Sequence, residues 1–302
     1  MKQRILFLTV LLALSLACGS TLPASAPTPE IAATATIGLT FEPASTPQPE
    51  AATALPTVPQ PEVATPTSIP TIENSGVSFT IPPQVASGRS QILIPESLDP
   101  QAPIWEIHPA YTEISLEGYP LKDKFFQPKV DVFPVTSFEQ ANDGAAQIIS
   151  DLKTLLAAPP NPLPGSLPFL PLFNAAQIFH ANEQFFKFQN GSGVRFLTQF
   201  GQDAMPVNNH ELLYTFQGIT DDGAYYISVI LPVNASFLLE YPSPEFTLPP
   251  DGIPFPWGSY DTLGEYYRAS VKQLNDTAPD AFTPSLTVLD SLTQSMLITG
   301  IP

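Results

Sequence analysis

The residues best placed to bind a charged ligand are two cations that the sequence puts on neighbouring strands. A three-residue loop at 190–192 would join these strands and place Lys187 directly opposite Arg195. Two like charges in a cross-strand pair are unfavourable unless another group separates or neutralises them. Alternation along the next strands puts Gln217 on the same face, with Tyr226 as a flanking aromatic. These four residues predict a surface for an anion or a polar ligand, while neutralisation of both cations by nearby acids is the structural alternative.

The other chemistry-bearing residues match no specific catalytic or metal-binding motif. The histidines His108, His180 and His210 lack the spacing of a zinc site, and no cysteine is available to join them. The chain also lacks a Gly-x-Ser-x-Gly elbow and a phosphate-binding glycine loop. We therefore predict no metal and no cofactor. Paired carboxylates such as Glu113 and Glu211 stay open as the basis of glycoside hydrolysis.

Composition restricts the classes of partner. The chain has 302 residues and a formal net charge of −17, so it is a poor candidate for binding nucleic acid or anionic lipid. The acids are dispersed, a pattern typical of a soluble surface. With a single cysteine, the fold must depend on a buried core, which 20 Phe and 9 Tyr can supply.

The N-terminal residues have the pattern of a secretory signal. Lys2 and Arg4 precede a short apolar run that ends in Ser15-Leu16-Ala17-Cys18. This arrangement resembles the lipobox of bacterial lipoproteins. The resemblance implies that the signal is removed, that Cys18 is lipidated, and that the protein is anchored through this lipid at the bacterial cell surface or envelope, outside the cytoplasm. The apolar run is too short for a comfortable transmembrane helix, which needs about 20 residues.

Composition also divides the chain into segments. After the signal peptide at 1–17, residues 18–75 are rich in Pro, Thr and Ala and contain no Lys or Arg. Such a segment cannot bury enough apolar surface to offset its chain entropy, and its prolines favour an extended geometry. We predict a disordered tether at 18–75 and a single globular domain at 76–302.

Alternating apolar and polar residues predict a series of antiparallel strands in this domain. They fall at 77–81, 112–117, 129–133, 183–189, 193–200, 211–218 and 224–232. A two-residue turn at 222–223 would pair Phe216 with Val229 and Tyr214 with Leu231, so that apolar side chains meet.

Capping signals predict about three helices. Ser137 and Gln140 form a capping box at the start of an amphipathic helix, Ser259 can cap a second, and Thr283 and Pro284 suit the start of a third. The predicted fold class is therefore α+β, an antiparallel meander of hairpins packed with these helices.

The head also resembles PsbP-like domains in two short pieces, the Phe79-Thr80-Ile81-Pro82 strand and the helix at 286–296. This resemblance implies a non-enzymatic accessory or assembly role. The predicted anchor, the long tether and the motif-free, aromatic-rich head lead us to expect an anchored module that binds an envelope protein, a glycan or a small molecule, with no nucleic acid and no disulfide-linked partner. An extracytoplasmic hydrolase acting on polysaccharide and a passive envelope component are the alternatives.

Overall fold

The computed structural model describes residues 76–300, and the structural statements below refer to this part of the chain. The predicted signal peptide, Cys18 and the predicted tether at 18–75 lie outside it.

The strands occupy more of this region than the alternation predicts. They are β1 (Val77–Ser78), β2 (Gly88–Ile94), β3 (Tyr111–Glu117), β4 (Lys129–Pro134), β5 (Ala176–Phe188), β6 (Gly191–Gly201), β7 (Leu213–Thr220), β8 (Tyr225–Pro232) and β9 (Leu297–Ile298). Strand β2 is absent from the sequence-based prediction, and β5 begins well before the predicted start at residue 183.

Seven of these strands form one antiparallel sheet in the order β2-β3-β4-β8-β7-β6-β5. Strands β5 to β8 follow one another as the predicted meander, and β8 then lies beside β4. Strand β1 pairs with β9 in a separate two-stranded sheet. The prediction of an antiparallel sheet with helices is confirmed.

The register of the last hairpin is as predicted. Phe216 lies opposite Val229 and Tyr214 opposite Leu231. Gly223 in the connecting turn has a φ of +72°, a conformation that glycine adopts without steric cost. The apolar pairing and the turn residue therefore specify this hairpin together.

The described region contains four α-helices rather than three. They are α1 (Val135–Ala141), α2 (Asp143–Ala157), α3 (Leu263–Asp276) and α4 (Leu286–Gln294). The predicted first helix is two helices, because Asn142 leaves the helical conformation at φ −150°. Its side-chain oxygen accepts a hydrogen bond from Ala145 N at 3.1 Å, so Asn142 is the N-cap of α2 and Ser137 lies inside α1.

The predicted caps of the last two helices are also corrected. Helix α3 begins after a short 3₁₀ turn at Tyr260–Thr262, and its N-cap is Thr262 rather than Ser259. Helix α4 has Ser285 as its N-cap. Thr283 is instead held by two backbone hydrogen bonds with Asn234, so its backbone belongs to a β-bridge.

Both faces of the large sheet are covered. On one face Val229 belongs to a core that includes Leu274 of α3 and Leu289 of α4. On the other face Ile230 belongs to a second core that includes Ile149 of α2. An antiparallel sheet commonly leaves one face in solvent, but here alternate residues of β7 and β8 enter two different cores. The protein is therefore a mixed α/β molecule with helices on both sides of its sheet.

Candidate functional site

The predicted pairing of the two cations is wrong. Strands β5 and β6 are joined at 189–190, and Lys187 lies opposite Ser192 while Arg195 lies opposite Gln184. The observed partner of Arg195 is three residues from the predicted one. Successive side chains of a strand alternate between the two faces of the sheet. A shift by an odd number of residues therefore puts Lys187 and Arg195 on opposite faces.

Arg195 is buried and holds α4 against the sheet. Its Nε and Nη2 atoms donate to the two carboxylate oxygens of Asp290 at 3.1 and 3.0 Å. Nη2 also donates to Gln184 Oε1 at 2.6 Å, and Nη1 donates to the carbonyl of Asn182. The side chain is only 4% exposed, so Arg195 acts here as half of a structural ion pair.

Gln217 and Tyr226 lie on the face opposite Arg195, beneath residues 160–173, which we call the covering segment. Gln217 Oε1 accepts hydrogen bonds from Leu170 N at 3.0 Å and from Tyr226 Oη at 2.6 Å. Ser228 donates to the carbonyl of the same leucine. Both predicted ligand-binding side chains are fully buried. Gln217, together with Ser228, fastens the covering segment to the sheet.

Two of the three histidines have local partners. His180 Nδ1 pairs with Glu183, a contact that raises the pKa of His180, and its Nε2 lies 2.9 Å from the carbonyl of Pro164. His108 Nδ1 lies 3.0 Å from the carbonyl of Pro109. Among residues 76–300, no cluster of His, Cys, Asp and Glu has the arrangement of a metal site.

The third histidine belongs to a row of aromatic side chains, Phe125, His210, Tyr241 and Phe246, which we call the aromatic platform. Successive ring centroids are 6.3, 4.7 and 4.9 Å apart along this row. The outer rings are the open ones, since Phe125 is 64% and Phe246 42% exposed. Large exposed aromatic residues in a connected row are typical of a binding surface.

The loops that carry the platform are fastened to one another. Phe125 N donates to the carbonyl of His210 at 2.9 Å, and His210 N donates to the carbonyl of Glu240 at 2.9 Å. The His210 ring lies 2.8 Å from the carbonyl of Asp123 through Nδ1. Lys124, whose side chain is 4% exposed, forms an ion pair with Glu240 at 2.7 Å. The platform is therefore preformed, which reduces the entropy lost when a ligand binds.

A polar cleft of about 570 Å³ adjoins the platform through the same loop. Ser115, Lys122, Asp123 and Gln127 are the polar residues that line it together with Lys124. Asp123 has a φ of +54°, a left-handed conformation that Asp adopts more readily than most residues other than glycine.

Next to the cleft is a group of three charged residues, Glu113, Lys129 and Asp131, which we call the charged trio. Ser115 of the cleft lies opposite Lys129, and Glu113 lies opposite Asp131. Lys129 Nζ donates to Glu113 at 2.9 Å and makes an ion-pair contact of 2.9 Å with Asp131. Asp131 exposes none of its side chain, whereas Glu113 and Lys129 are about one-fifth exposed, at 21% and 22%.

The trio predicts a specific dependence of stability on pH. Burial raises the pKa of Asp131 to about 7, with Lys129 opposing this rise and Glu113 adding to it. Between pH 3.8, its ordinary value, and about 7, the folded state binds the proton more tightly than the unfolded state. The free energy of unfolding should therefore fall by up to about 4 kcal/mol as pH rises through this interval. In Asp131→Asn this decrease in the free energy of unfolding with rising pH should disappear. Urea unfolding at several pH values measures it.

The pH dependence of stability must be compared between Asp131→Asn and the unchanged protein, because other groups titrate in the same pH range. His180 also has a raised pKa, and its contribution is complete below about pH 6.5 and lost above it. Burial alone would lower the pKa of Lys129, but its acidic neighbours Asp131 and Glu113 raise it, so Lys129 stays charged throughout the interval. Equal pH slopes in the two proteins between pH 4 and 6 would contradict the assignment to Asp131.

Comparisons with known proteins give no family for this chain. No protein-family model matches it, and neither the curated proteins nor the solved structures include a significant match. Within residues 76–300, no helix has both the length and the apolar character needed to cross a membrane.

The sequence-based search missed the aromatic platform. Its residues come from three separate loops, and the sequence shows them only as Phe125, His210, Tyr241 and Phe246 scattered among prolines and polar residues. Turn-rich flanks such as Pro242-Ser243-Pro244 indicate that an aromatic lies in a loop. They do not show which loops meet, because this depends on the long-range bonds described above.

Proposed function

We propose that the protein is an extracytoplasmic lipoprotein, anchored through Cys18 and a Pro-rich tether, whose head is a ligand-binding module. The observation that carries the binding role is the aromatic platform, with two open phenylalanine rings on loops held by backbone bonds and by the ion pair of the buried Lys124 with the exposed Glu240. A long tether suits this role because it places the head away from the membrane. The anchor is supported by the lipobox-like residues at 15–18.

The rings favour binding over catalysis. Phenylalanine side chains supply apolar contact area but no acid, base or nucleophile. They would therefore hold a ligand rather than transform it. The accessory role implied by the PsbP-like resemblance agrees with this proposal.

The binding role can be tested before the ligand is identified. The full chain carrying Cys18→Ser, which removes the proposed lipid site, is mixed with purified envelopes of the native bacterium and sedimented. We expect retention, and we expect the double variant Phe125→Ala, Phe246→Ala to lose it. Phe185→Ala with Tyr260→Ala is the matched control, because these exposed aromatics lie outside the platform. Retention that does not depend on the platform, or no retention, would contradict the proposal and favour a passive component.

The anchor is tested separately by mass spectrometry of the N-terminal peptide from membranes. An acylated residue 18 is expected in the unchanged protein, and its absence in Cys18→Ser is the control. An intact N-terminus at Met1 in a soluble fraction would contradict the anchor while leaving the binding test unaffected.

A hydrolase is the second candidate because the structure brings two carboxyl groups together. Oxygens of Glu113 and Asp131 both lie 2.9 Å from Lys129 Nζ, so these oxygens cannot be farther apart than twice that distance. Retaining glycosidases use carboxyl groups about 5–5.5 Å apart. The complete burial of Asp131 favours the binding role, since a substrate must reach both groups. Polysaccharide cleavage that is lost in Glu113→Gln would favour the hydrolase.

A further inference from the structure

The aromatic platform and the polar cleft together match the two kinds of surface that a sugar ring presents. A pyranose has a flat face of C–H groups and a rim of hydroxyl groups. The open rings of Phe125 and Phe246 offer apolar faces for the first. Ser115 and Gln127 in the adjoining cleft offer hydroxyl and amide groups that both donate and accept hydrogen bonds for the second.

We infer that the ligand of this module is an uncharged polysaccharide chain that stacks on the aromatic platform and bonds in the polar cleft. The inference rests on the proposed function and specifies its ligand class. It concerns a chain rather than a single sugar, because the open rings stand at the two ends of a row of four aromatic side chains.

The charges near the site argue against an anionic ligand. The loops at 122–126, 208–211 and 239–246 carry four carboxylates and two lysines. One of those lysines, Lys124, is buried and paired with Glu240, which leaves Lys122 as the exposed cation of these loops. The protein as a whole carries −17, so an acidic polymer would be repelled both locally and at long range. An uncharged chain meets no such repulsion.

The fastened loops also suit a flexible ligand such as a glycan. A polysaccharide loses internal freedom when it is held in one conformation, and a preformed surface avoids adding a second ordering cost. Proline-rich peptides likewise dock on aromatic grooves, and the chain has its own such segment at 18–75. That segment carries acids and no cations, so it would experience the same local repulsion as other acidic ligands.

The test uses the full chain with Cys18→Ser and three immobilised probe sets. These are uncharged glucose, mannose and N-acetylglucosamine oligomers of at least four rings, polygalacturonate as an anionic glycan, and a synthetic peptide of residues 55–70. We expect binding to at least one uncharged oligomer and none to polygalacturonate. Phe125→Ala with Phe246→Ala should weaken this binding at least tenfold, while Phe185→Ala with Tyr260→Ala should change it less than twofold.

Different results would contradict the proposed binding role and the assignment of an uncharged polysaccharide as the ligand. Platform-dependent retention on envelopes together with no binding to any uncharged oligomer would overturn the saccharide assignment and leave the binding module standing. Binding of the peptide or of polygalacturonate in preference to the uncharged oligomers would also overturn it. Oligomer binding that is equal in the platform variant and its control would overturn the assignment of the site.

Discussion

Replacing Asp290 with alanine is expected to lower the free energy of unfolding by about 3–5 kcal/mol. The reason is that Arg195 would remain buried without its carboxylate partner, at only 4% exposure. Tyr214 Oη, which donates to the same carboxylate at 3.0 Å, would lose an acceptor as well. Because Asp290 is on α4 and Arg195 on β6, the loss falls on the contact that holds this helix to the sheet. Urea unfolding followed by circular dichroism measures the change.

Two further variants separate the mechanism from a general loss of packing. The double change Arg195→Met, Asp290→Leu removes both charges, so it should be less destabilising than Asp290→Ala alone. Asp276→Ala breaks an exposed pair with Lys272, whose side chains are 75% and 64% exposed, and should cost less than about 1 kcal/mol. A double variant less stable than Asp290→Ala would contradict the account of an uncompensated buried charge.

The position of Arg195 shows that the sequence predicts where the strands lie better than it predicts how they pair. The strands at 193–200 and 224–232 were predictable because apolar and polar residues alternate and turns flank them. The β7–β8 register was predictable because a two-residue turn leaves only one pairing that matches both faces. For the β5–β6 connection a three-residue loop at 190–192 was predicted, but the strands are joined by two residues at 189–190. Placing Arg195 depended on that choice.

The helix starts illustrate a second limit. The apolar stripe on α2 predicted the buried face, including Ile149 and Leu152. The capping residue was mistaken because Ser137 and Asn142 both have side chains that can cap a helix. Asn142 also donates to the carbonyls of Ile104 and Ile107, from a distant loop. Those long-range bonds favour the break at Asn142, and no local pattern reports them.

The candidate site was the least predictable part. Gln217 and Tyr226 belong to a polar face that alternation shows correctly, but the sequence does not show that residues 160–173 cover it. A polar residue within a strand is compatible both with an open face and with a buried, fully bonded one. The aromatic platform requires three loops to meet, which only the completed fold achieves.

The second large effect is expected at this covered face. Replacing Gln217 with leucine should lower the free energy of unfolding by about 2–5 kcal/mol, since each buried polar group left unpaired costs about 1–3 kcal/mol. The amide uses all of its capacity, because Nε2 donates to Thr215 and Ser228 at 2.7 and 2.9 Å while Oε1 accepts from Leu170 and Tyr226. Leucine has a similar size but replaces none of these four bonds.

The same change should loosen the covering segment before the rest of the protein. Hydrogen exchange at the Leu170 amide should accelerate in Gln217→Leu because this N–H loses its acceptor. Gln147→Leu, at an exposed position on α2, is the matched control and should stay within about 0.5 kcal/mol. If Gln217→Leu unfolds at the same urea concentration as Gln147→Leu, with Leu170 equally protected, the amide does not fasten this segment.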